Sequence, residues 1–255
     1  MRAGTEVNNE STLILGHRGF KGPLENTLPA FRRALLYADG VEFDVRVTGD
    51  GKLVAHHDEG FWSDGLFYRI NGLSLRELRS IHPLGKLVPR VEDIFRTFRN
   101  SFFDADVKEP EAVEPLLKLV ERFSVAGRVV FSSENPGIVK ALLRECPDCR
   151  VGFSIVGYSS LVWIPRLKGL YSLHVPIDAV SYVGYRTFVT LLEALRKRGL
   201  RIYLWNYRMN ELEWAPRLWR FADALILDNP VWVKKGFYGY GALFGGDTYD
   251  ELGIR

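Results

Sequence analysis

Eight short apolar runs alternate along this chain with segments of helical spacing, and that alternation limits the folds open to it. The runs cover residues 13–15, 41–45, 102–107, 129–131, 151–155, 173–177, 200–205 and 224–227. Helical patterns fall between them at 28–37, 91–98, 113–123, 138–144, 188–198 and 212–221, with a weaker one at 161–167. Strand-like runs separated by amphipathic helices are βα units, whose strands lie parallel. Eight units predict an α/β chain closed into a (β/α)₈ barrel, the TIM-barrel class, rather than an open sheet. A chain of 255 residues with 47% hydrophobic content fits one such domain over residues 1–255. The rhythm breaks once. Between the second strand and its helix an insertion of about 58–88 is expected. Phe61, Trp62, Phe67 and Tyr68 cluster there, either as a cap over a site or as a small core of the insertion itself.

Composition narrows the function classes. Thirty-four basic and 31 acidic residues leave a net charge of +3. No basic run is long enough to follow a phosphate backbone, so nucleic acid is not an expected partner. No apolar stretch approaches the ~18 residues of a membrane span. The polar segment 1–11 lacks the apolar region of a secretory signal, so a cytoplasmic location is expected. The aromatic, glycine-rich segment 231–246 is expected to pack on the barrel exterior. Cys146 and Cys149 form a C-x-x-C with no second pair and no nearby histidine, which argues against zinc. A turn thiol pair or a structural disulfide is expected.

The residues that carry chemistry concentrate at strand ends, where parallel barrels hold their sites. His17 and Arg18 end the first strand, and Gly19 lets the backbone turn. Glu42 and Asp44 are two apart on the second strand, so both carboxylates share a face. Two buried carboxylates this close repel unless one is protonated or a cation lies between them. Oxygen donors favour Mg²⁺ or Ca²⁺ over a soft metal. Asp106 and Lys108 repeat the spacing on the third strand. Asp106 completes a three-carboxylate cradle and Lys108 reaches a phosphate. Asp104, deeper on the same face, is expected to be structural. In LVAHHD the alternation sends His56 and His57 to opposite faces, and spacing alone leaves open which one meets the site. Asn26 or Thr27 caps the first helix, with Pro29 in its first turn. His82 is expected at the surface of the insertion, His174 as a packed barrel histidine, and Asp228 and Asn229 as the tie that ends the eighth strand.

Taken together, His17–Gly19, Glu25–Thr27, Glu42-x-Asp44, His57-Asp58, Asp106-x-Lys108, Trp205 and Asp228-Asn229-Pro230 resemble the glycerophosphodiester phosphodiesterase family, from about residue 13 to 230. The resemblance implies a (β/α)₈ barrel and metal-dependent hydrolysis of glycerophosphodiesters to an alcohol and glycerol phosphate. It implies that His17 and His57 are the acid–base pair, since the family histidine directly precedes an aspartate. It implies that Glu42, Asp44 and Asp106 hold the cation, that Arg18 and Lys108 grip the phosphate, and that Trp205 contacts the glycerol. The chain departs from the family pattern in places. Leu24 separates Pro23 from Glu25. Asp106 stands where the family carries Glu, one methylene longer, although the related sphingomyelinase D toxins also use Asp-x-Lys. Glu134 follows Ser133 where the family has Phe, adding negative charge at the mouth that favours a cationic leaving group. Trp205 is followed by Asn206-Tyr207-Arg208 rather than Thr-Val-Asn. Two other readings stand beside this one. The first is a lysophospholipase D or cyclising phospholipase of the same superfamily, its acyl chain held by the aromatic residues of the insertion. The second is a non-catalytic phosphodiester-binding barrel. Oligomeric state is not legible from these residues.

Overall fold

The computed structural model describes residues 12–208 and 211–231. Eight strands form the barrel: β1 (Leu13–Gly16), β2 (Gly40–Val47), β3 (Phe102–Val107), β4 (Val129–Ser133), β5 (Arg150–Ser154), β6 (Ser172–Pro176), β7 (Arg201–Trp205) and β8 (Ala224–Leu227). Each pairs in parallel with the next, and β8 returns to β1 in the register Leu13↔Ala224 to Gly16↔Leu227. The sheet is closed, as the eight-unit alternation predicts.

The two-residue period of a strand sorts its side chains. Val41, Phe43 and Val45 of β2, Phe103, Ala105 and Val107 of β3, and Val151 and Phe153 of β5 face outward into the main core. Helices Leu28–Ala34, Val91–Thr97, Val113–Phe123, Pro136–Glu145, Tyr185–Arg196 and Glu211–Leu218 cover that core. Each fully buried Phe or Leu there is worth roughly 1.5–3 kcal/mol against exposure. The alternate positions face the axis. Leu15, Val130, Tyr203, Ala224 and Ile226 fill its lower end. Above them the axial positions turn polar, with Glu42, Asp104, Ser132, Ser172 and His174 all buried. Gly152 belongs to this layer, because a Cβ there would lie 2.5 Å from the His174 ring.

The weaker helix expected at 161–167 is a single turn, Tyr158–Leu161, followed by a 3₁₀ turn at Ile164–Arg166. Pro165 lacks the N–H that a continuing helix needs. The insertion begins with a strand, Leu53–Ala55, antiparallel to the end of β2. A hairpin (Gly60–Ser63 with Leu66–Arg69) and the helix Leu75–Ile81 follow. Ser74 and Glu77 form a reciprocal capping box at that helix. Val54, Phe61, Ile70, Leu78 and Val88 make a separate small core, against which Tyr68 packs. Trp62 and Phe67 lie exposed on the hairpin. The aromatic cluster forms the insertion's own core and outer face, and none of its four residues lines the cleft at the barrel mouth.

Cys146 and Cys149 are joined as a disulfide across the turn that ends the helix Pro136–Glu145. No helix of the described residues is long and apolar enough to cross a membrane. The expected packing of segment 231–246 falls almost wholly outside the described residues.

Candidate active site

The mouth of the barrel, at the C-terminal ends of the strands, holds an open cleft of about 120 Å³. His17, Arg18, Glu42, Asp44, His57, Asp106, Lys108 and Trp205 all line it. Eight positions chosen from spacing and resemblance thus meet in one cavity.

The turn after β1 is built to hold its side chains. Arg18 and Asn26 both adopt left-handed backbone conformations, with φ of 51° and 57°. Gly19 follows at φ 76°, and a Cβ there would strike the start of the first helix 2.7–2.9 Å away. The Arg18 amide donates to Glu42 Oε2 at 2.8 Å. Its guanidinium donates to Glu25 Oε1 at 2.6 Å and places Nε 3.2 Å from Asp44 Oδ2. Thr27 is the helix cap, its hydroxyl accepting from the Ala30 amide. Asn26 does different work. Its Nδ2 donates to Asp44 Oδ2 at 2.8 Å, and its Oδ1 accepts from the Asp44 amide at 3.2 Å. Helix capping alone therefore does not account for Asn26-Thr27.

Glu42, Asp44 and Asp106 each offer a carboxylate oxygen within 4.8 Å of the others. Burial, followed by the charges of Asp44, Asp106 and Asp104, pushes Glu42 well above the usual carboxylate range. Burial would raise Asp44 as well, but Lys108 and then Arg18 hold it below that range. Lys108 Nζ lies 2.9 Å from Asp44 Oδ1 and 2.5 Å from Asp106 Oδ2. Although burial works against its charge, those two carboxylates keep it protonated well above the ordinary lysine range. Asp106 Oδ1 is buried without a hydrogen-bond partner among the described residues. Three hard oxygen donors, one unpartnered and one raised by burial and by its acidic neighbours, fit a divalent cation of the Mg²⁺ or Ca²⁺ type. Asp104 also lines the cleft, at the barrel axis: Ser132 Oγ donates to its Oδ1 at 2.7 Å, and His174 Nδ1 lies 3.3 Å from its Oδ2.

Two imidazoles face this cluster, each with Nδ1 tied to a carboxylate. His17 Nδ1 lies 2.5 Å from Asp228 Oδ1, and its Nε2 is 4.0 Å from Glu42. His57 Nδ1 lies 2.8 Å from Asp58 Oδ1. Nδ1–H donation leaves each Nε2 free to accept or deliver a proton. The Arg46 guanidinium donates twice to the His57 carbonyl, at 2.9 and 2.8 Å. His56 turns the other way, toward the insertion. There it meets His82, which is 9% exposed rather than on the surface as expected. His174 is packed as expected: it is 3% exposed and stacked on Tyr203 at 4.8 Å.

Some residues of the site escaped the sequence reading. Asp228 is not a strand tie but the partner of His17. It also meets Lys21 Nζ at 3.2 Å, and the His17 hydrogen bond holds it below the usual range although burial would raise it. Continuing the axial alternation of β8 (Ala224, Ile226, Asp228) would have found it. Glu211, which burial raises to about 7, accepts from the Asp228 and Asn229 amides and from Asn206 Nδ2. No sequence spacing points to that contact. On the far wall, Trp205 and Tyr207 rings lie 4.3 Å apart, and the Trp205 Nε1 is buried without a partner among the described residues. Exposed Glu134 completes the rim.

Comparison with known proteins matches this arrangement. The model of the glycerophosphoryl diester phosphodiesterase family aligns with residues 17–231. A glycerophosphodiester phosphodiesterase of Caldanaerobacter subterraneus subsp. tengcongensis is 28% identical over 240 residues, covering 86% of this chain and 95% of that protein. The crystal structure of a glycerophosphodiester phosphodiesterase from Thermotoga maritima superposes with a TM-score of 0.74 at 28% identity, over 89% of this chain and 99% of the other. An Oleispira antarctica phosphodiesterase, solved with the product sn-glycerol-3-phosphate, shares the fold at a TM-score of 0.71 and 18% identity, over 88% and 96% of the two chains. With the family model spanning nearly the whole barrel and eight of the motif residues lining one cleft at its mouth, this chain belongs to the glycerophosphoryl diester phosphodiesterase family and is a phosphoric diester hydrolase.

Proposed function

We propose that the chain hydrolyses glycerophosphodiesters to an alcohol and glycerol phosphate, with His17 and His57 as its acid–base pair and a divalent cation held by Glu42, Asp44 and Asp106. One observation carries this reading. Two histidines, each oriented through Nδ1 by a carboxylate, flank a three-carboxylate cluster in one cleft.

A phosphodiester resists attack because it is itself an anion. Arg18 and Lys108 supply positive charge at the cleft, and Arg18 presents the planar fork suited to phosphate oxygens. Bound cation would add Lewis-acid stabilisation of the charge that develops on phosphate. His17, buried beside Glu42, takes the proton of the attacking hydroxyl through Nε2. His57 is 41% exposed by its side chain, and its place at the rim, where an alcohol leaves to solvent, supports the role of proton donor. The attacking hydroxyl is that of water or of the substrate's own glycerol, the latter passing through a cyclic phosphate. Trp205 lines the cleft, and its ring suits a wall against the substrate's glycerol. Glu134 at the rim favours an alcohol that carries positive charge.

The test is a metal-resolved assay on glycerophosphocholine, glycerophosphoethanolamine, glycerophosphoinositol and lysolipids, with products identified. Chelator-sensitive release of glycerol phosphate is expected. Lysophosphatidic or cyclic product alone would assign the enzyme to the lysophospholipase D or cyclising class. Binding without turnover under any divalent cation would overturn catalysis.

A further inference from the structure

His56 and His82 lie outside the cleft, and the catalytic reading makes no use of them. Yet their Nε2 atoms are 3.1 Å apart, across 26 residues of chain, with the rings nearly perpendicular. Phe61 packs on the His82 ring at 4.4 Å. The partners of the two rings allow one arrangement of protons. The Leu84 amide, which can only donate, lies 3.0 Å from His82 Nδ1. His82 must accept there, so its proton is on Nε2 and points at His56. His56 Nε2 therefore accepts, and its own proton is on Nδ1, 3.0 Å from the Asp58 carbonyl, which can only accept. The result is an unbroken chain of bonds from the Leu84 amide through His82 and His56 to Asp58. An Nδ1 that accepts is unsuited to a metal-binding imidazole, which donates from that atom, so the close pair of nitrogens is a clasp and not an ion site.

The far end of the chain of bonds is what matters. Asp58 is the residue whose side chain receives the His57 Nδ1 proton at 2.8 Å. We propose that His82 is a positioning residue: through His56 it fixes the backbone of Asp58, and so the aim of the His57 ring, which makes the insertion a working part of the active site. This rests on the reading of His57 as catalytic. The adjacent histidines thereby divide two tasks, one delivering the proton and the other locking the loop. Arg46 restrains the same loop from the barrel side through the His57 carbonyl, so the catalytic imidazole is held from both flanks.

The experiment compares two substitutions that differ in reach. His82→Asn keeps an acceptor for the Leu84 amide but is too short to meet His56. His82→Gln extends an N–H to the position of the lost Nε2. His82→Asn is expected to lower kcat on glycerophosphocholine by about tenfold, the scale of a displaced supporting contact, with KM within about twofold of wild type. His82→Gln is expected to restore most of the loss. Ile70→Val thins the same small core without touching the clasp; it should lower Tm and leave kcat unchanged. Wild-type kcat in His82→Asn, an equal loss in His82→Gln, or a kcat that falls with Tm in Ile70→Val would overturn the proposal. His57→Ala separates the two readings. If it keeps wild-type turnover, the catalytic reading of His57 fails; if it is inactive while His82→Asn keeps wild-type kcat, only the clasp fails.

Discussion

The Nδ1 of His17 sits 2.5 Å from the carboxylate of Asp228, 211 residues later in the chain. β1 and β8 are neighbours because the barrel closes there, and closure places the acid behind the imidazole. The carboxylate orients the ring. His17→Ala is expected to cost at least ~10²-fold in kcat, the low end for a lost acid–base group. Asp228→Ala should cost about tenfold or more with little change in KM. Steady-state kinetics of the folded variants check both, and full activity in either would remove that residue from the mechanism.

Chelation should abolish turnover, and Mg²⁺ or Ca²⁺ should restore it. A ligand that binds only the folded chain also raises Tm by mass action, which gives a readout apart from activity. Asp106→Asn should weaken the cation-dependent rise in Tm by at least ~10-fold in the concentration required, whereas Asp106→Glu should retain it. A Tm that ignores divalent cations in the wild type would contradict the assignment of Glu42, Asp44 and Asp106 as ligands.

Glu134 is a rim charge that also helps raise the Tyr207 hydroxyl, behind the larger effect of burial. Glu134→Gln should lower the ratio of kcat/KM for glycerophosphocholine over glycerophosphoinositol by about fivefold, the value of a partly screened ion contact of ~1 kcal/mol. An unchanged ratio would mean that the rim charge does not read the leaving alcohol.

His174 is held neutral by burial, which drives it down to about 3. The unfolded imidazole takes a proton near pH 6.5. Between these values the unfolded chain binds the extra proton, so stability falls as the pH is lowered from about 6.5 toward 3. Denaturant unfolding at a series of pH values should show that slope in the wild type and a shallower one in His174→Gln, by up to a few kcal/mol across the window. Identical slopes would show that other groups govern the acid limb.

The alternation of apolar runs made the barrel legible, because each strand must bury an outward face under a helix whatever its partners are. The two-residue period also made Glu42, Asp44 and Asp106 legible as one group, since i and i+2 on adjacent parallel strands share a face and the β2–β3 register sets Asp44 opposite Asp106. Local pattern could not rank His56 against His57. Both faces of that segment are occupied, one by the cleft and one by the insertion's small core. His82 was misplaced at the surface for the same reason: its burial depends on Phe61 and His56, and no periodicity of its own helix reveals them.

Asn26 and Asp228 mark the boundary most clearly. Their residue types fit local roles, a helix cap and a strand end; the alternation of β8 carries Asp228 to the barrel axis, but nothing local in the sequence names the partner of either residue. The sequence by itself determined the βα rhythm, the outward core and the kinds of chemical group at the strand ends, since these follow from local periodicity and polarity. Only the tertiary structure decided which acid orients which histidine, because those pairings are set by barrel closure and by the docking of the insertion, which join residues tens to hundreds of positions apart.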